Sequence, residues 1–227
     1  MVEIEKDGAL ARIFLNRPQK ANALNSALLD ALGNAIESLV DDDALHAVLL
    51  AGRGRAFCGG ADLHELEALD EASARTFIRR IHEVCAALRR LPIPVVAQLH
   101  GAVIGAGLEL AAACDLRVAA EGTRFAMPEV RLGIPSVVEA ALLPRLVGTG
   151  RAAWLVLTGE AIDARRACEW GLVEEIAPSA QAVVRSLLAG DRAALMAQKQ
   201  LLQLWEEAPL SSSIAASVEL FARLAGR

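Results

Sequence analysis

The chain has 227 residues, 54% of them hydrophobic and 22% charged, with a formal net charge of −5. That length suits one ordinary domain with a substantial core, and the composition excludes global disorder. An acidic chain with five Phe, three Trp and no Tyr offers no footprint for nucleic acid.

The opening Met1-Val-Glu-Ile-Glu-Lys-Asp7 is acidic and lacks an apolar run, so it does not read as a signal peptide. Residues 9–15 are short, partly β-branched and end at Asn16-Arg-Pro18, which predicts a strand running into a turn. Apolar residues at 28, 29, 32, 36, 39 and 40 predict a helix over 25–40, with Asn25 as its N-cap. Residues 47–51 predict a buried strand, ended by Gly52-Arg-Gly54. The order then repeats. A helix is expected over 71–90, with Phe77, Ile81, Val84, Cys85 and Leu88 on one face, broken by Leu91-Pro-Ile-Pro94. Strands follow at 95–99 and 115–120, with a helix from about Gly107 to Ala113 between them. From Val137 the pattern turns mostly helical, over 137–147, 150–157, 163–170, 181–206 and 211–225. Alternating strand and helix units without a visible sequence repeat predict an α/β fold. The expected organisation is a core over 1–190 and a small helical region over 191–227, whose apolar stripe could pack within the chain or on another subunit.

The apolar run from Gly101 to Cys114 is too short to span a bilayer and carries Glu109, so no membrane association is expected. Cysteines at 58, 85, 114 and 168 form no C-x-x-C pair and no metal-like spacing with the four histidines. Reduced thiols in the cytoplasm are the simplest account, and no metal site is expected. Cys58 reads as a small packing residue rather than a nucleophile. The arginine pairs 53/55, 79/80 and 89/90 read as solvated faces, with one or two left to meet an anion such as phosphate.

Two glycine-rich turns and two glutamates stand out. Phe57-Cys-Gly-Gly-Ala-Asp62 and Gly101-Ala-Val-Ile-Gly-Ala-Gly-Leu-Glu-Leu110 both let backbone approach a ligand closely. If a helix begins near Gly107, the Ala106 amide is free to donate to an oxyanion, and the Ala61 amide is the natural opposing donor. Glu109 lies on an apolar helix, so it needs a partner, a raised pKa or access to a cavity. Glu129, after Pro128, could be a second acid or a surface residue. Two carboxylates and two aimed amides together suit proton transfer at carbons beside a thioester.

Several ordered segments carry a resemblance: Asn16-Arg-Pro18 with Asn22-Ala-Leu-Asn25, Gly54 through Leu63, Gly101 through Asp115, Pro128 through Pro135, and Ala167 through Val173. Over about residues 10–175 the chain resembles the enoyl-CoA hydratase/isomerase (crotonase) family. The resemblance implies a crotonase-like spiral of ββα units followed by a small C-terminal helical region, assembled as a homotrimer or a dimer of trimers. It implies an acyl-CoA thioester as substrate, with coenzyme A part of that substrate and no separate cofactor. Glu109 and Glu129 match the catalytic glutamates, and the amides of Ala61 and Ala106 the oxyanion hole. Ala23, Gly60, Asp62, Leu63, Gly105, Gly107, Pro128 and Glu139 are assigned to substrate contact. Glu109 would activate water for attack at C3 of a 2-enoyl-CoA while Glu129 delivers a proton to C2. The alternatives are a double-bond isomerase, or a catalytically weak binding or assembly subunit. Two departures from the family pattern appear. Ser136-Val-Val-Glu139 replaces a glycine-rich stretch, leaving Glu139 to meet a functionalised acyl group or to serve as a helix N-terminal acid. The C-terminal region is also shorter than the family's.

Overall fold

The computed structural model describes residues 1–226; the last position of the expected region 191–227 lies outside them. In chain order the elements are β1 (Val2–Asp7), β2 (Leu10–Leu15), α1 (Ser26–Glu37), β3 (Ala47–Gly52), α2 (Leu63–Leu66) and α3 (Glu71–Arg90). Next come β4 (Val95–Leu99), β5 (Ala102–Ile104), α4 (Ala106–Ala112), β6 (Leu116–Ala119) and β7 (Arg124–Ala126). Then follow α5 (Leu143–Val147), α6 (Thr149–Thr158), β8 (Ile162–Asp163), α7 (Ala164–Trp170), β9 (Glu175–Ile176), α8 (Gln181–Leu188), α9 (Arg192–Glu207) and α10 (Leu210–Ala225).

Six strands form the main sheet in the order β1-β2-β3-β4-β6-β9, parallel throughout except for the antiparallel β1–β2 hairpin. Its central strands are buried on both faces, which is why they read as continuous apolar runs. Alternate residues divide between two cores. Val48, Leu50, Val95 and Ala97 face the larger one, while Ala47, Leu49, Val96 and Val118 face the smaller one together with Ala180 and Val184 at α8. A second sheet, β5-β7-β8, runs beside the first, and isolated parallel bridges at Cys58–Val103 and Leu24–Ala61 continue it. Each turn of the chain therefore lays one strand in the main sheet, one short extended segment in the second, and then a helix. This is the spiral of ββα units that the resemblance implies.

Capping decides several boundaries. The Asn25 side chain accepts from the Leu28 amide at 2.9 Å, and Asp70 with Ser73 forms a reciprocal capping box at the start of α3. The expected single helix over 181–206 is two helices, because Asp191 caps a fresh start by accepting from the Ala194 amide at 2.8 Å. The expected helix over 137–147 is a 3-10 turn, Val138–Leu142, followed by α5. Pro144 suits the first turn of a helix but not its interior, so it sets that break. Strands β1, β5, β7, β8 and β9 were not anticipated. Most hold only two or three residues, and in the charged edge strand β1 the apolar alternation stops after Val2-Glu-Ile-Glu5. Among the described residues no helix is long and apolar enough to cross a membrane.

Candidate active site

The spiral brings the two glycine-rich turns side by side. Cys58 and Val103 pair through bonds from the Cys58 amide to Ala102 O and from the Ile104 amide to Cys58 O, both 3.1 Å. Three residues on, Leu24 and Ala61 pair through the Leu24 amide to Gly60 O and the Asp62 amide to Leu24 O, both 2.8 Å. In that parallel bridge the neighbours of Ala61 make the bonds, so its own N–H points the other way, towards the second turn. Gly60 makes the approach possible: its φ is +101°, and a Cβ there would fall 3.0 Å from Ile104 O. On the opposite side, Ala106 opens α4, so its N–H has no helical carbonyl to bind and points off the helix end.

Glu109 lies in the first turn of α4, a helix in which all seven residues are buried. Burial pushes its pKa up to about 8, with the charges of Glu129 and then Glu139 adding to it and backbone amides at Ala140 and Val137 opposing. Glu129 opens the 3-10 turn Glu129–Leu132, and its Oε2 accepts from the Ser136 hydroxyl at 2.8 Å. Its Oε1 sits against Gly105, where an added Cβ would fall 2.2 Å away. Gly105 also holds φ +52°, so only a glycine leaves this carboxylate its place.

Both carboxylates and both alanines line one cavity of about 390 Å³. Apart from Arg131 its remaining wall is apolar, with Leu63 and Leu66 from α2, Ile78 and Ile81 from α3, and Val137. Gly60, Gly105 and Pro128, expected at the substrate, border it as well. The other expected contacts have different partners in the structure. Asp62 pairs with Arg17 at 2.5 Å and caps α2 through the His64 amide. Ala23 O accepts from the same Arg17 at 3.0 Å. Gly107 is packed on Cys58, whose Cβ would lie 2.8 Å from an added one. Glu139 is turned to His82 of α3 at 2.8 Å and borders a neighbouring cavity rather than this one.

Cys58 is fully buried, and burial lifts its thiol to about 12, which suits the expected packing role and no nucleophilic one. Asn22 braces the first turn: its side-chain amide donates to Ala56 O at 2.8 Å and Arg53 O at 2.9 Å. Ser136 was missed by sequence reasoning; its only signal was its place in the stretch that departs from the glycine-rich pattern. Among the described residues no group of three or more His, Cys, Asp or Glu side chains could hold a metal ion.

A family model described as enoyl-CoA hydratase/isomerase matches residues 5–222. The chain is 38% identical to the 2,3-dehydroadipyl-CoA hydratase of Escherichia coli, covering 94% of this chain and 86% of that protein. It is 33% identical to the short-chain-enoyl-CoA hydratase of Clostridium acetobutylicum, covering 97% and 87% respectively. Among solved structures, an enoyl-CoA hydratase of Mycobacterium smegmatis superposes with a TM-score of 0.94 at 36% identity, over 97% of this chain and 89% of that one.

Proposed function

The chain belongs to the enoyl-CoA hydratase/isomerase family, and from that premise we propose that it adds water across the double bond of a 2-enoyl-CoA thioester. The observation that carries this reading is the pair Glu109 and Glu129 facing one apolar cavity together with Ala61 and Ala106. The thioester carbonyl would lie between the Ala61 and Ala106 amides, which hold the charge that gathers on its oxygen as the enolate forms. Losing one such donor typically costs about 3–4 kcal/mol of transition-state stabilisation.

Addition of water needs one group to take a proton and another to give one. Two coupled carboxyls holding a single proton between them meet that need. In the free site burial keeps that proton on Glu109. Once it has passed across to Glu129, Glu109 takes a proton from water as the oxygen bonds to C3, and Glu129 gives its proton to C2. Ser136 and the gap at Gly105 fix the Glu129 carboxyl for that transfer. These groups supply each step, and coenzyme A serves as the handle of the substrate rather than as a separate cofactor. The four free cysteines suit a reducing compartment, the cytoplasm. The exposed apolar face of α10, carrying Leu210, Ile214, Val218 and Phe221, supports assembly as a trimer or a pair of trimers.

Loss of enoyl-thioester absorbance on short, medium and aromatic 2-enoyl-CoAs tests the proposal. Glu109→Gln and Glu129→Gln should each lower kcat by about 10²–10⁴-fold, the usual worth of a positioned acid or base. Binding of the thioester without any hydration by the native chain would sink the reading. Turnover of a 3-enoyl-CoA in its place would point to the isomerase, and none at all to a binding subunit.

A further inference from the structure

One buried acid beside the site takes no part in the mechanism above. Glu139 sits in the turn Val138–Leu142, which packs on α3 and α4, and it is only 6% exposed. Its Oε1 lies 2.8 Å from Nδ1 of His82, a ring half open to solvent. Its Oε2 is buried and has no hydrogen-bond partner among the described residues. An unpaired carboxylate oxygen away from water is costly, and a turn that merely connected two helices would not keep one. The backbone delivering it is strained as well. Val138 holds φ +40°, a left-handed conformation that β-branched residues avoid. Strain and an orphaned buried oxygen on consecutive residues mark a side chain held in place for its charge.

That charge reaches α4. Glu139 contributes to the upward shift of Glu109, after burial and Glu129, and it also pushes up the Cys85 thiol of α3. The groups facing Glu139 are His82 and Cys85 from α3 and Glu109 from α4, while Glu129 faces Glu109 from its own turn. Arg89 and Arg90 of α3, Glu207 of α9 and Arg223 of α10 line the cavity outside the His82–Glu139 contact.

We propose that Glu139, held by His82, is a positioning residue whose negative charge keeps the shared proton on the Glu109/Glu129 pair. It touches no substrate. Hydration fails once both carboxyls of the pair are ionised, because nothing is then left to protonate C2. A third negative charge close by opposes that second ionisation and so extends the working range towards higher pH. This rests on the hydratase reading, since only a reaction that gives and takes a proton at once needs the singly protonated pair.

The test reads Glu109 directly. Side-chain carboxyl carbons of the full, substrate-free protein are titrated by ¹³C NMR, with E109Q assigning the signal, and kcat/KM for hydration is followed against pH. In E139Q the Glu109 midpoint should fall by about one pH unit, and the alkaline limb of kcat/KM should fall with it. E139A, which removes the orphaned oxygen together with the His82 contact, should move the midpoint the same way if E139Q does not fold. A midpoint unchanged in a folded variant overturns the proposal, because a merely structural role would lower rates at every pH without moving the titration. A midpoint that moves while no 2-enoyl-CoA is hydrated supports the role of Glu139 and overturns the hydratase reading instead.

Discussion

Glu109 has leucine, alanine and glycine around it on its own helix, so the sequence alone says that it needs a partner, a raised pKa or access to a cavity. The structure sets another carboxylate near it, opposed only by the backbone amides of Ala140 and Val137, and its pKa rises to about 8, through burial first and Glu129 second. Two consequences follow at this scale. The pair loses its last proton as pH rises through about 8, so kcat/KM for hydration should fall on the alkaline side in that region. A steady-state pH profile on a saturable 2-enoyl-CoA checks it, and a rate flat to pH 10 would contradict it. The same shift affects stability. A folded pKa above the ordinary 4.5 gives stability that is complete below 4.5 and is lost as pH climbs through about 8. Glu109→Gln removes that loss. Its melting temperature relative to the native chain should therefore rise between pH 5 and pH 9, the swing amounting to a few kcal/mol on an order-of-magnitude scale.

At the scale of elements, each short segment of the site is placed by a neighbour distant in sequence. Gly105 ends β5 and opens α4, and it shapes the site through Glu129, a residue two strands away in the chain. Gly105→Ala would set a methyl 2.2 Å from the Glu129 oxygen and force an alanine to φ +52°. Hydration should drop by about 10²-fold or more as that carboxyl is displaced, while the strained backbone costs about 1–3 kcal/mol of stability. Activity beside a denaturant melt separates the two effects. The C-terminal helices show the same dependence on distant partners. Lys199 of α9 is buried, bonding Leu88 O at 3.2 Å and Ile93 O at 3.1 Å and pairing with Asp115 at 2.8 Å. It ties α9 to the end of α3 and to the strands that follow. Lys199→Met takes the donor from Leu88 O and Ile93 O, leaves Asp115 only the Val95 amide, and should cost about 3–5 kcal/mol, the usual result of removing one partner of a buried pair.

For the whole molecule, the open question in the sequence was where the C-terminal stripe packs. Leu210 and Phe221 are 77% and 73% exposed, and Ile214 and Val218 accompany them on one face of α10. With Trp205 they frame an apolar hollow of about 730 Å³ between α9 and α10. Contiguous exposed apolar patches of this kind commonly form contact surfaces, and the proposed assembly would cover this one. Light scattering should give the mass of three chains or six. Val218→Asp with Phe221→Asp should shift it towards one, while a native monomer at micromolar concentration would remove the argument.

Much of this protein was determined by local chemistry alone. The buried strands at 47–51 and 95–99, the cap at Asn25 and the opening of α4 at a glycine-rich turn follow from residue type and spacing, because each is signalled by its near neighbours. So did the two glutamates and the two glycine-rich turns as candidates for one site. The tertiary structure decided what depends on residues far apart in the chain. It made Asp62 and Ala23 partners of Arg17, gave Asn22 to the backbone of the first turn, set Ser136 on Glu129, and sent Glu139 to His82. No periodicity carries such pairings, since a side chain's partner is set by how the turns of the spiral stack and not by its distance along the chain.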